Sequence, residues 1–193
     1  MKKLTLYSAL IVTALLFSFK TLAPSTWTLD KAHGKLGFVI THLLVNDVEG
    51  AFTNFDATVN AINDDFTDAS VTMTADVSTV NTFNDRRDGH LKSADFFDAA
   101  KYPTLTFAST SFKKISATKY KVLGSLTMHG VTKPEELDVT AKSGINPMNK
   151  KNIAGFKIEG TIKRSDFGIG ANYPSAVLSD EIKLNANAEF VKQ

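Results

Sequence analysis

The sequence predicts an all-β protein, an extended antiparallel barrel of about eight strands with a short helical cap. Three observations predict it. Segment after segment of the 193-residue chain alternates apolar and polar residues with period two, the mark of a strand with one buried face. Turn residues separate these segments, without a matching set of amphipathic helices. One interval, Asn84 to Phe97, lacks the alternation altogether. One-sided strands of this kind close on themselves, because an open sheet leaves unpaired edges.

The elements follow in order. Leu36, Phe38, Ile40 and His42 alternate with Gly37, Val39 and Thr41. Phe55, Ala57, Val59 and Ala61 form a second strand, ended by the turn Asn63-Asp64-Asp65. Val71, Met73, Ala75 and Val77 form a third. Asn84 to Phe97 predicts one or two short helices containing Gly89, with Leu91, Asp95 and Phe96 at helical spacing, covering one end of the barrel. Leu105/Phe107 and Tyr120/Val122/Gly124/Leu126/Met128 follow as strands, the latter ended by His129-Gly130. Leu137/Val139/Ala141, a loop from Ser143 to Asn152, Phe156/Ile158/Gly160/Ile162 and Ile182/Leu184/Ala186/Ala188/Phe190 complete the set. No repeat or linker interrupts it, which predicts a single domain over residues 26–191.

Residues 1–23 are of another kind. Lys2 and Lys3 precede a mostly apolar run from Leu4 to Phe19, closed by Lys20, and Thr21-Leu22-Ala23 places small residues before a cut. This is the layout of a secretory signal peptide. A spanning anchor wants about 20 apolar residues, more than Lys20 leaves. Cleavage is expected after Ala23 or, because Pro24 is a poor residue to follow a cut, after Ser25. The whole chain carries 22 basic and 20 acidic residues. Without its first 23 residues it carries 19 and 20, so the basic character belongs to the leader.

Composition excludes several function classes. There is no cysteine, hence no disulfide framework and no thiol nucleophile. The chain beyond the leader has no Lys/Arg run longer than two, so it lacks the electrostatic footprint of a nucleic-acid binder. His33, His42, His90 and His129 form no HxH or HExxH motif, and no nucleophile elbow, P-loop or GxGxxG fingerprint is present. No catalytic residue, metal ligand or cofactor site is therefore expected.

The inward faces are expected to carry Phe38, Ile40, His42, Phe52, Phe55, Val71, Met73, Leu105, Phe107, Val122, Leu126, Phe156, Ile158 and Ile162. A barrel of about eight strands either fills itself with such side chains or holds one ligand, and the alternation does not choose between the two. Phenylalanine, 14 of the aromatics against 4 Tyr and 1 Trp, brings apolar area with no polar atom and suits either case. Arg86, Arg87 and His90 are candidates for contact with a polar head at the barrel mouth. The competing reading has Arg87 and Asp88 tying the cap to the barrel, and Arg164 and Asp166 doing the same later, since interleaved charges on loops are usually paired or solvated.

Several segments are familiar together. Trp27-Thr-Leu-Asp30-Lys-Ala-His33, Phe38-Val-Ile-Thr-His42 and Val48-Glu-Gly50-Ala-Phe52 resemble the opening of the YceI-like, lipocalin-like family. So do Arg87-Asp88-Gly-His90-Leu91-Lys-Ser-Ala-Asp95-Phe96-Phe97-Asp98, Tyr102-Pro103-Thr-Leu-Thr-Phe107, Gly124-Ser-Leu126-Thr-Met-His129-Gly130-Val-Thr-Lys133 and Ile162-Lys-Arg164-Ser-Asp166-Phe167-Gly168. The match spans residues 27 to 190 or so. The chain departs from the family at Gly34, where many relatives carry a hydroxyl residue, and in doubling a single arginine to Arg86-Arg87. The resemblance implies a lipocalin-like barrel that binds, sequesters or transports a long-chain apolar lipid, a polyisoprenoid or related amphiphile, without catalysis and in the periplasm. A homodimer is compatible with it, on the resemblance alone. The rivals are a small exported enzyme acting on an isoprenoid or quinone-like lipid through His42 or His90, and a structural barrel with a filled core.

Overall fold

Ten strands make up one antiparallel sheet in the computed structural model, which describes residues 23–193. The expected leader lies outside these described residues but for Ala23. The strands are β1 (Ser25–His42), β2 (Asn46–Phe52), β3 (Phe55–Ala61), β4 (Ser70–Asp76), β5 (Val80–Asn81), β6 (Thr104–Lys114), β7 (Lys119–Met128), β8 (Val131–Ile145), β9 (Asn152–Lys163) and β10 (Leu178–Lys192). The helix α1 (Asp85–Leu91) stands between β5 and β6. Neighbours run β10-β9-β8-β7-β6-β4-β3-β1, and β1 pairs back onto β10, which closes an eight-strand barrel. The antiparallel barrel and the short helix are as expected from the sequence.

The two remaining strands arise because β1 is longer than one partner. Its first residues, Ser25 to Thr28, pair with β3, and Leu36 to His42 pair with β2. The pairing of β1 with β10 shifts register between Leu29 and Gly34, a bulge at Asp30-Lys31-Ala32-His33. That bulge interrupts the alternation, so the first half of β1 is invisible to a period-two reading. The strand β2 was missed for a related reason, since its central inward position is held by Gly50. It pairs outward with the two-residue β5 and extends the wall at one end.

Local chemistry sets the turns. His129 and Gly130 join β7 to β8 with φ of 52° and 75°, the two left-handed residues of a tight hairpin turn. The β8–β9 connection is shorter than expected, because β8 continues to Ile145. Helix α1 begins where the Asn84 side chain accepts a hydrogen bond from the Arg87 amide at 3.0 Å.

The end of the barrel away from α1 is sealed by aromatic packing. Trp27 meets Phe66 edge-on at 5.1 Å between ring centres, Phe66 meets Phe156 at 4.9 Å, and Phe156 meets Phe190 at 5.2 Å. Edge-to-face contacts of this kind add about 0.5–1.5 kcal/mol each beyond the area they bury. Phe66 comes from the β3–β4 loop with φ of 55°, and is 2% exposed. That loop folds inward as a plug.

Candidate functional site

The interior is not filled. A cavity of about 480 Å³ runs inside the barrel, within the range of roughly 300–1,000 Å³ usual for ligand sites. Each residue expected on the inward faces, from Phe38 through Ile162, stands on its wall. Ile182, Leu184 and Phe190 of β10, with Phe112 and Leu137, continue the apolar lining.

The space survives because large side chains lie against the wall. A methyl group added at Gly50 would stand 2.3 Å from Cζ of Phe38, and one at Gly124 would stand 2.3 Å from Cζ of Phe107. The outer end of each ring therefore covers a glycine of a neighbouring strand. Phe38 faces Gly50 directly in the β1–β2 register. Bulk that would otherwise project into the lumen coats the wall instead.

The mouth lies at the α1 end. There the lining residues that reach solvent gather: His42 at the end of β1, Asn46 at the start of β2, and Arg87 and His90 on α1. Leu91, Phe96 and Phe97 of the cap segment face the cavity from above. Phe97 packs on Phe52 at 5.5 Å, and Phe52 on Phe38 at 5.9 Å. The hairpin tip beside the mouth exposes Leu43, Leu44 and Val45.

The polar residues of the mouth have specific partners. Arg87 donates from Nε to the Thr82 hydroxyl and from Nη2 to the Thr82 carbonyl, both at 2.7 Å. Asp88, buried below it, accepts from the Thr82 amide at 2.8 Å and from the same hydroxyl. The pair thus ties α1 to the residues after β5. Arg86 projects to solvent and has no place on the wall, because one step along a helix turns a side chain by about 100°. His90 contacts Asp95 at 3.3 Å and the Tyr173 hydroxyl at 3.5 Å, and Phe96 stacks on Tyr173 at 5.1 Å. The cap is thereby stitched to the loop before β10. His42 is an exposed rim residue and not a buried one.

Arg164 organises that same loop. It opens a 3-10 turn, Arg164–Phe167, and is 5% exposed. Its five N–H groups meet five main-chain carbonyls. Nε donates to Ser179, Nη1 to Ile169 and Gly170, and Nη2 to Tyr173 and Leu178, at 2.6–3.1 Å. A buried guanidinium whose every donor is used in this way is a strut. Asp166 is exposed, while Asp180 accepts from the Ser165 amide and hydroxyl at 3.0 and 2.8 Å. The Ser165 bonds and the Arg164 and Lys163 charges lower the Asp180 pKa against the opposing effect of burial.

Glu135 was not anticipated. It stands on the cavity wall from β8, half-buried, with burial pushing its carboxyl up in pKa and the charge of Asp166 adding to that. The alternation Leu137/Val139/Ala141, extended two residues back, would have placed it inside. Elsewhere, one His–carboxylate group lies on the outer face of the β1 bulge. His33 bonds Asp30 at 3.0 Å near Glu189, and Asp30 raises the His33 pKa.

Comparison with known proteins places this architecture. A family profile described as the YceI-like domain matches residues 27–190. A UPF0312 protein of Staphylococcus aureus (strain bovine RF122 / ET3-1) is 38% identical over 172 residues, covering 86% of this chain and 97% of the relative. The crystal structure of a Campylobacter jejuni YCEI protein is 37% identical, with a TM-score of 0.73 over 86% of this chain and 97% of that one. Burkholderia cenocepacia BcnA is 27% identical, with a TM-score of 0.74 over 83% and 98% of the two chains. A polyisoprenoid binding domain from Saccharophagus degradans shares the fold at 17% identity, with a TM-score of 0.62 over 86% and 98%.

Proposed function

The chain belongs to the YceI-like domain family, and we propose that it is a carrier which binds, sequesters or transports one long-chain apolar lipid inside its barrel. The observation that carries this reading is the open lumen, about 480 Å³, beside which the Phe38 and Phe107 rings cover Gly50 and Gly124. A polyisoprenoid or similar amphiphile suits the space, its tail toward the Trp27–Phe66 plug and its polar end toward α1. Each buried methylene contributes about 0.8 kcal/mol, so affinity comes from chain length and needs no covalent step. The S. degradans domain, named for polyisoprenoid binding, supports the ligand class by analogy of fold. The leader read in residues 1–23 supports export, and we place the working protein in the periplasm. The segment expected to reach a head group contributes Arg87 and His90 to the mouth.

Native mass spectrometry of protein purified from its own host tests the proposal. An added mass of several hundred daltons or more, removed by organic extraction, is the expected result. Protein that is empty in every preparation overturns it. Substituting His42 and His90 one at a time tests the enzymatic rival. A carrier keeps its lipid chemically unchanged in both variants, whereas an enzyme accumulates unprocessed substrate in one of them.

A further inference from the structure

We infer that Glu135 selects the polar end of the bound lipid, favouring a head that donates a hydrogen bond, an alcohol or an amine, and rejecting one that carries a carboxylate or phosphate. This rests on the reading of the barrel as a lipid cavity.

Three features of the site support it. First, Glu135 belongs to the wall. It shares the inward face of β8 with Leu137 and Val139 and stands opposite Gly124 of β7, whose inner side is covered by Phe107. It therefore looks into apolar space. Second, it has no hydrogen-bond or ion-pair partner among the described residues; only burial and the charge of Asp166 act on it. A half-buried carboxylate without a donor is costly, and a ligand hydroxyl or ammonium supplies the missing partner. Third, the two arginines on the cavity wall are engaged. Arg164 spends every donor on main-chain carbonyls, Arg87 is bonded to Thr82, and His90 faces Asp95. An incoming carboxylate meets Glu135, and among the described residues no arginine of the wall is free to offset it.

The position along the barrel agrees. Glu135 lies four residues beyond Val131, the first residue of β8, in the capped half of the cavity, and the sealed aromatic end is left for the hydrocarbon tail.

Geranylgeraniol and geranylgeranoic acid make a matched pair, with the same chain and different heads. Binding of each to purified, delipidated protein at pH 7.5 is measured by displacement of a fluorescent fatty alcohol and checked by native mass spectrometry. The alcohol is expected to bind about tenfold or more tighter than the acid, the size of an ordinary like-charge penalty. Glu135→Gln is expected to bring the two within about threefold, chiefly by improving the acid. Glu136→Gln, on the outer face of the same strand, keeps the wild-type ratio, and circular dichroism establishes that both variants are folded. Equal binding of acid and alcohol by the wild type overturns the inference, and so does an unchanged preference in Glu135→Gln. If neither ligand binds, the lipid cavity itself is the failed premise and the inference falls with it. Two ligands that bind with the wrong ratio overturn only the role of Glu135.

Discussion

The Arg164 guanidinium donates to the main-chain carbonyl of Tyr173 at 2.6 Å, one of five such bonds that hold the segment from Ile169 to Ser179 over the barrel mouth. A lysine keeps the charge but cannot reach five carbonyls from one nitrogen. Arg164→Lys should therefore lower stability by roughly 2–4 kcal/mol, since buried carbonyls are left without donors. Urea unfolding measures the loss. Hydrogen exchange should rise first in the 169–178 segment, and uniform exchange across all strands would contradict the role given to Arg164.

The glycines under Phe38 and Phe107 predict a different outcome. In Gly50→Ala the new methyl would stand 2.3 Å from the Phe38 ring, so the ring must swing into the lumen. Overpacking of this kind costs about 1–3 kcal/mol, and the displaced ring takes space from the ligand. Met73→Trp, which fills the lumen from β4, should abolish lipid uptake with little loss of stability, as read by lipid stoichiometry alongside thermal unfolding. Normal lipid content in a folded Met73→Trp protein would exclude the cavity as the binding site.

These two cases mark what the sequence could and could not disclose. Inward residues from Phe38 to Ile162 were legible because period two is the geometry of a strand. Whether they enclosed a space was not, because that depends on Gly50 lying across from Phe38, a pairing between strands. The Arg164 strut was equally hidden, since its partners are carbonyls, which carry no side-chain identity. Glu135 was within reach of the alternation, but a charge on an apolar face reads as the end of the pattern. The bulge at Asp30 to His33 concealed the first half of β1 in the same way.

Arg87 and Arg86 separate a strut from a solvated neighbour. Arg87 holds Thr82 by two bonds at 2.7 Å, whereas Arg86 faces solvent. Arg87→Ala should cost about 1–3 kcal/mol, loosen α1 and speed lipid release for every head group alike. Arg86→Ala should stay within about 0.5 kcal/mol of wild type. If Arg87 gripped the head instead, its removal would change the ranking of alcohol, amine and acid, which a competition series would detect.

The plug at the opposite end gives the protein an acid-sensitive contact. Asp65 precedes Phe66, accepts from Lys114 at 2.7 Å and from the Thr67 amide and hydroxyl at 3.1 and 3.0 Å, and its carbonyl receives the Tyr120 hydroxyl at 2.6 Å. These donors, Lys114 foremost, hold its carboxyl at about 2, below the ordinary 3.8. A carboxyl whose pKa is depressed in the folded state contributes stability that is complete above the unfolded value and lost as pH falls through the folded one. The contribution of Asp65 is therefore whole above about pH 4 and fades toward pH 2. The side chain is 51% exposed, so solvent screening keeps the effect modest. Asp65→Asn should lower the unfolding temperature at pH 7 by more than it does at pH 2.5, where the wild-type carboxyl is already partly protonated. The measurement is thermal unfolding of both proteins at both pH values. An equal gap at the two would assign the contact to loop geometry and not to charge.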